Sequence, residues 1–477
     1  MSSGADSTTG HRQHYNLTFA VLALAGCTFA LLQSLVAPAL PEIQRDLHTT
    51  PTAVAWVLTA YLLSASVLTP IIGRLGDMFG KERTLIASLV MLALGTLVAA
   101  LASSIEVLIL GRVIQGAGGA VFPLAFGIIR DEFPRDRVAR GIALISALLG
   151  IGGGAGIVLA GPIVDNFSYH WLFWFPLVAV CITIVATVLF VPESPIKTPG
   201  RINWLGAALL SAWLVCLLVP VSEGSSWGWG SPRVLGLVGA AVVLFALWVR
   251  NESRAKEPLV DMQMMRRRAV WTVNASAFLV GAGMYSSFIL IPQFVEEPAR
   301  SGYGFGASVS QAGLFLVPST LGMLIVGPLA GRLAERVGSR VPLVMGALTT
   351  MVSFVMLAVA HSAHWEIYVA SALMGIGIGL AFASLANLIV EAVPPEQTGV
   401  ATGMNTVMRS LGGSVGGQIG ASVLAGGIVA GVPTEGSFTA AFALAAGACA
   451  FAALAAIAVP RPGAARERSA TGEFQAA

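Results

Sequence analysis

Apolar residues in this chain come in runs of about 20, enough to carry a helix across ~30 Å of hydrocarbon, and short clusters of charge, glycine and proline separate the runs. Cutting at those clusters gives fourteen segments: 16–40, 53–72, 85–102, 105–129, 139–163, 171–192, 203–222, 233–249, 270–292, 309–331, 341–360, 366–390, 400–429 and 437–460. None alternates with period two, which selects helices over a barrel. Hydrocarbon cannot satisfy backbone N–H and C=O groups, so the pattern predicts an all-α polytopic membrane bundle. The first segment is too long for a signal-peptide core and runs into Pro38 and Pro41 without a small-residue cleavage pattern, so it counts as span 1.

An even number of spans puts both termini on one face, and the basic residues indicate which. With the N-terminus inside, 22 of the 27 Lys and Arg residues fall on the inner side, three (Arg45, Arg233, Arg300) outside, and two, Arg112 and Arg409, within spans. The expected location is the cytoplasmic membrane with both termini cytoplasmic. Trp171, Trp204, Trp227, Trp229, Trp248, Trp271 and Trp365 lie near span ends, where interfacial anchors belong.

Composition narrows the function. Charged residues make up 11% of the chain, against about 25% in soluble proteins, which excludes a water-soluble globule. A net charge of +3 gives no basis for a nucleic-acid partner. Cys27, Cys181, Cys216 and Cys449 all fall in apolar runs, with neither disulfide nor metal-ligand spacing. His361 and His364 sit in an outer loop and read as solvated. No G-x-x-x-x-G-K-[ST] loop is present, so this chain carries no ATPase of that type.

The two halves echo each other at an offset near 260. GRLGDMFG (73–80) returns as GRLAERVG (331–338), Glu106 as Glu366, Pro134 as Pro394, and Gly152, Gly153 and Gly156 as Gly412, Gly413 and Gly416. Spans 1–6 and 9–14 form the repeats, while spans 7 and 8 have no counterpart. The expected organisation is a tail (1–15), a six-helix bundle (16–192), an inserted pair with its loops (193–269), a second six-helix bundle (270–460) and a tail (461–477). Two parallel six-helix repeats around a midplane site describe one large class of secondary transporter.

GRLGDMFGKERTL (73–85) resembles the loop 2–3 signature of the major facilitator superfamily, with Gly73, Leu75, Asp77, Gly80, Lys81 and Leu85 in place and Met78 and Glu82 where basic residues are usual. RVIQGAGGA (112–120) resembles the helix 4 signature through Arg112, Gln115 and Gly116. GGGAGIVLAG (152–161) is similar to the antiporter signature but has Ile157 at its proline position. WGWGSPR (227–233) and PLVDMQMM (258–265) resemble the fourteen-helix drug:proton antiporter branch, which usually has an aspartate where this chain has Leu32. The resemblance covers residues 16–460. It implies alternating access, with proton entry coupled to export of an amphipathic or apolar small molecule. The partners implied are the proton gradient and the lipid bilayer, with no cofactor and no ATPase subunit.

Candidate residues follow. Asp77, with Lys81 and Arg83, ends span 2; such a carboxylate can pair with a basic group or cap a facing helix N-terminus, holding an inner gate shut. Gly73 and Gly80 permit close approach and a tight turn. Gly331, Arg332, Glu335 and Gly338 are expected to repeat this device in the other half. At 1.5 Å per residue, Arg112 lies about 10 Å and Arg409 about 14 Å from the nearer membrane face. A guanidinium at that depth is costly unless paired or wetted, so both are expected to face the enclosed space. Arg112, Gln115 and Gly116 are assigned to coupling, and Gln33, Asn274, Arg409 and Gln418 to a substrate cavity. Each uncharged polar residue within a span (Gln33, Asn274, Asn387, Asn405 and Gln418) fits interhelical bonding and ligand contact equally well. All 24 acids lie in loops, tails or helix ends, leaving Asp77, Glu106, Glu223, Glu296 and Glu297 as proton sites. The reading is an exporter of hydrophobic or amphipathic compounds such as antibiotics. Alternatives are an importer or uniporter of the same fold, and a polytopic lipid enzyme, for which only Asp131 with Glu132 approaches an acidic cluster.

Overall fold

Local signals set the helix ends. Thr50 caps the backbone N–H of Ala53, Ser231 that of Val234 and Ser308 that of Gln311, with Gln311 returning a bond to the Ser308 N–H. Gly80 (φ 115°) and Gly338 (φ 81°), repeat equivalents, stop two long helices at conformations that side chains resist. The computed structural model describes residues 15–198, 200–299, 302–429 and 432–460. Most of both predicted tails, with Arg12, and also Arg300 lie outside the described residues.

The helices are α1 (Tyr15–Ser34), α2 (Leu40–Asp46), α3 (Pro51–Phe79), α4 (Lys81–Ala100), α5 (Ile105–Gln115), α6 (Val121–Glu132), α7 (Arg135–Asn166), α8 (Trp171–Phe190), α9 (Trp204–Trp227), α10 (Pro232–Arg254), α11 (Met262–Arg266), α12 (Arg268–Glu296), α13 (Val309–Val337), α14 (Arg340–Val359), α15 (His364–Ala392), α16 (Thr398–Gly426) and α17 (Glu435–Ala458). Short β1 (Ile428–Val429) and β2 (Val432–Pro433) pair before α17. The predicted span 4 is interrupted: Gly116–Ala120 form a 3₁₀ turn between α5 and α6, where a Cβ on Gly116 would meet Ser64 Oγ at 2.4 Å. Among the described residues, thirteen helices are long and apolar enough to cross a membrane. α16 matches them at 29 residues, but its Gly-, Ser-, Thr- and Asn-rich sequence is less apolar, in keeping with its packing against α3, α6, α9, α12, α15 and α17.

The first half (α1–α8) meets the second (α12–α17) mainly along two seams, α3 against α16 and α7 against α13. The repeat offset exchanges the members of these seams, which relates the halves by a pseudo-twofold. Small residues build both. A Cβ on Gly73 would lie 2.4 Å from the Gly399 carbonyl oxygen, and one on Gly327 would lie 2.4 Å from the Ala147 Cβ. α9 and α10 pack on each other, with α9 touching α3 and α16 from outside. Val242, Val243 and Leu247 on α10 and Val185 and Leu189 on α8 are exposed, as a lipid-facing belt requires. Trp204, Trp229, Trp271 and Trp365 are exposed as expected of anchors, whereas Trp248 is buried against the Trp213 ring, centroids 6.0 Å apart.

Candidate functional site

A cavity of about 320 Å³ lies between the halves, walled by α1, α3, the 3₁₀ turn, α6 and α7 on one side and α12 and α16 on the other. Its surface is dominated by Phe29, Phe122, Phe288, Leu58, Leu62 and Met284, with hydroxyls from Tyr61, Ser66, Thr69, Tyr285, Thr406 and Ser410. Arg409 is on this wall, its guanidinium carbon 4.6 Å from the centroid of the Phe382 ring. Gln33 is on it too, and its Nε2 donates to Tyr285 Oη at 3.3 Å, linking the two halves across the cavity. The wall contains no Asp, Glu, Lys or His.

Toward the end of the molecule that carries Arg74, Lys81 and Arg83 (the basic end), the cavity is closed. Asp77 is 1% exposed. Its Oδ1 and Oδ2 accept the backbone N–H groups of Gly399 and Val400, each at 3.0 Å, so the carboxylate caps the N-terminus of α16. Glycine at 73 and 399 lets the backbones come close enough for that bond. Arg130 adds a second bridge between halves, donating to Thr398 Oγ1 at 2.7 Å and to the Val393 carbonyl at 2.8 Å. Lys81 is not the partner of Asp77: its Nζ meets Asp131 Oδ2 at 2.6 Å, both side chains fully buried, and Ser194 Oγ donates to the same oxygen. Arg83 is exposed and pairs with Glu193 at 3.3 Å.

The repeat of this device is incomplete. Glu335 and Arg332 are exposed, and neither forms a hydrogen bond or ion pair among the described residues. Gly331 keeps its packing role, a Cβ there lying 3.0 Å from the Arg140 Cα. The equivalents of Lys81 and Asp131 are Ser339 and Glu391, joined by a 3.2 Å hydrogen bond. The expectation that the second half seals in the same way is thereby corrected, because the acid there points to solvent rather than at a helix terminus.

Arg112 is also corrected. It is fully buried but stands behind the cavity wall: Nε donates to the Val57 carbonyl at 3.0 Å, Nη1 to Gln115 Oε1 at 2.7 Å, and the guanidinium carbon lies 4.2 Å from the Tyr61 ring centroid. Gln115 Nε2 passes the chain on to Thr96 Oγ1 at 3.0 Å. Tyr61, not Arg112, presents this network to the cavity. Asn274 leaves the cavity set, since its Oδ1 accepts from Asn405 Nδ2 at 2.9 Å between α12 and α16; Gln418 is half-buried on α16 and likewise not on the wall. Asn387 Nδ2 donates to the Ala139 carbonyl at 3.2 Å across the α15–α7 contact. Glu106 is exposed, Glu223 bonds Ser226, and Glu296 and Glu297 lie in a shallow pocket away from the cavity, so none of them reaches it. His361, expected in solvent, is 8% exposed, with Nδ1 at 2.7 Å from the Leu357 carbonyl and Nε2 at 2.9 Å from Glu435. Among the described residues no His, Cys, Asp or Glu group has metal-binding geometry.

Arg130, Tyr61 and Tyr285 do not stand out in the sequence, and Asp131 does so only as half of an acidic pair with Glu132. Asp131 carried a usable signal, an acid near a span end opposite a basic loop, but its partner is 50 positions away.

A membrane-embedded helical body in two repeat halves, with an apolar cavity between them shut at one end, defines a membrane transporter. The chain belongs to the Major Facilitator Superfamily, whose profile matches residues 22–417 and again 273–476. It is similar to the tetracenomycin C resistance and export protein of Streptomyces glaucescens, 29% identical with 80% of this chain and 71% of that one covered. It is also similar to multidrug resistance protein 3 of Bacillus subtilis, 27% identical with 83% and 77% covered. The fold matches the human organic anion transporter MFSD10 with a TM-score of 0.67 at 17% identity, covering 94% of this chain and 99% of that one. The protein is a transporter and not an enzyme, and the acid considered for lipid chemistry, Asp131, is committed to its pair with Lys81.

Proposed function

We propose that the protein is a proton-driven exporter of hydrophobic or amphipathic small molecules, working by alternating access in the cytoplasmic membrane with both termini cytoplasmic. One observation carries this: the cavity is walled by both halves and closed at the basic end by a carboxylate of one half on a helix terminus of the other. A bond of that kind makes closure depend on charge, because protonating Asp77 removes one acceptor and weakens the attraction to the helix dipole. With no carboxylate on the cavity wall, Asp77 is the acid whose protonation and gate state are most directly linked. Relatives named for resistance and export support the direction, and the positive-inside distribution supports the orientation. The expected partners are a drug-like solute, protons and lipid, with no cofactor, nucleic acid or ATPase subunit.

The test is uptake of a fluorescent amphipathic drug by inside-out vesicles with and without the protein. Uptake that needs the protein and stops when a protonophore collapses the gradient is expected. Uptake indifferent to the protonophore refutes proton drive, and accumulation of the drug in expressing cells refutes export.

A further inference from the structure

The cavity's charge distribution is one-sided. Arg409 supplies its single formal charge, and among the described residues no carboxylate, hydroxyl or carbonyl hydrogen-bonds to that guanidinium; its contact is the Phe382 ring face. A guanidinium carries five N–H donors, and leaving them unmet in an apolar cavity is costly unless water or ligand meets them. Behind the opposite wall, Arg112 lies against Tyr61, also without a carboxylate, with its Nη2 unpartnered. The Tyr61 hydroxyl, on the wall, has no partner either. Asp77, the acid nearest along α3, lies eight residues beyond Thr69 of the wall, about 12 Å at helical rise, and is occupied by α16. Two guanidiniums therefore set the field in the cavity, and nothing on its wall cancels it.

We infer that this cavity selects planar aromatic compounds bearing an acidic oxygen, a phenolate or carboxylate, over lipophilic cations, and that Arg409 is the specificity-determining residue. The aromatic body packs among Phe29, Phe122 and Phe288, and the oxygen accepts from Arg409, a charge-assisted bond strengthened by exclusion of water. A cation in the same place meets like charge with no counter-ion. This inference names the substrate class of the site proposed above and rests on that site being the binding cavity.

The test is equilibrium binding to purified full-length protein in detergent, read by fluorescence polarisation, with two xanthene dyes of matched shape: fluorescein, which is anionic, and rhodamine 123, which is cationic. Fluorescein is expected to bind at least tenfold more tightly. Arg409→Gln should lose at least tenfold for fluorescein and leave rhodamine 123 unchanged or tighter, while Arg409→Lys, which keeps the charge, should recover part of the loss. Rhodamine 123 binding as tightly as fluorescein to the wild-type protein overturns the inference, as does failure of both dyes to bind. A loss in Arg409→Gln that is equal for both dyes also overturns it, since that marks a packing role. Binding needs no gradient, so selective fluorescein binding without gradient-driven export sinks the transport proposal and leaves this one standing.

Discussion

Asp77→Asn isolates the charge at the seal without changing its shape. The asparagine side chain keeps one oxygen for Gly399 or Val400 but turns an amide N–H₂ toward the other backbone donor, so one of the two 3.0 Å bonds is lost. A hydrogen bond to a charged group contributes about 1.5–3 kcal/mol, and a charge at a partly buried helix terminus adds up to ~2 kcal/mol. Burying a neutral side chain is cheaper than burying a carboxylate, which offsets part of this. The net loss should be about 2 kcal/mol, or roughly a 30-fold shift from closed toward open at the basic end. Thr402 lies behind the seal on α16 and is 2% exposed. A cysteine there, with Cys27, Cys181, Cys216 and Cys449 replaced, reacts with a membrane-impermeant maleimide from the basic side only when α3 and α16 part. Its labelling rate should rise about 30-fold in Asp77→Asn, following the shift in that equilibrium. An unchanged rate in a variant that expresses and melts like its parent would show that the cap does not hold the seal.

Four further outcomes are expected. Lys81→Met leaves Asp131 buried without its cation and should cost about 3–5 kcal/mol in thermal unfolding, whereas adding Asp131→Leu should recover most of it; equal instability of single and double variants would contradict the pairing. Gly73→Ala places a Cβ 2.4 Å from the Gly399 oxygen and should cost the closed state about 1–3 kcal/mol. Gly153→Ala, where a Cβ meets no atom of another element within 4 Å, should leave labelling unchanged and raise stability by about 0.5–1 kcal/mol. Gln115→Leu strips Arg112 of its side-chain acceptor, a loss of about 1.5–3 kcal/mol; because that network lies behind the wall, transport should fall by a similar factor for every substrate, and a change confined to one substrate would place Arg112 at the ligand.

What the sequence reveals here is depth and repetition. Apolar runs mark where lipid is, not where a helix stops: span 2 ends at 72 by hydropathy, yet α3 continues to Phe79 and carries Asp77 on its last turns. Depth placed Arg112 and Arg409 well inside the bundle, but depth says nothing about azimuth. Only packing shows that Arg409 opens onto the cavity while Tyr61 screens Arg112. The loop 2–3 motif pointed to Asp77, and capping of a facing helix was one of two chemistries open to it. The other, pairing with a basic group, is what Lys81 does with Asp131 across 50 positions, a distance over which local pattern carries no information. Asn274 and Asn405, equal candidates for ligand contact by composition, satisfy each other.

The unequal treatment of the two repeats bears on how this chain tolerates change. Glycine spacing and helix stops are present in both copies, whereas the charges at the basic end are not: the buried Lys81–Asp131 pair corresponds to Ser339–Glu391, and the capping acid Asp77 to an exposed Glu335. A duplicated scaffold must keep its geometry twice, but a charge-dependent latch need exist only once. Drift at the basic end should therefore be asymmetric. Within residues 331–338 the exposed Arg332, Glu335 and Arg336 should exchange charge freely so long as Gly331 and Gly338 remain, while in the equivalent stretch at 73–80 Asp77 should tolerate no replacement that loses its bonds to α16.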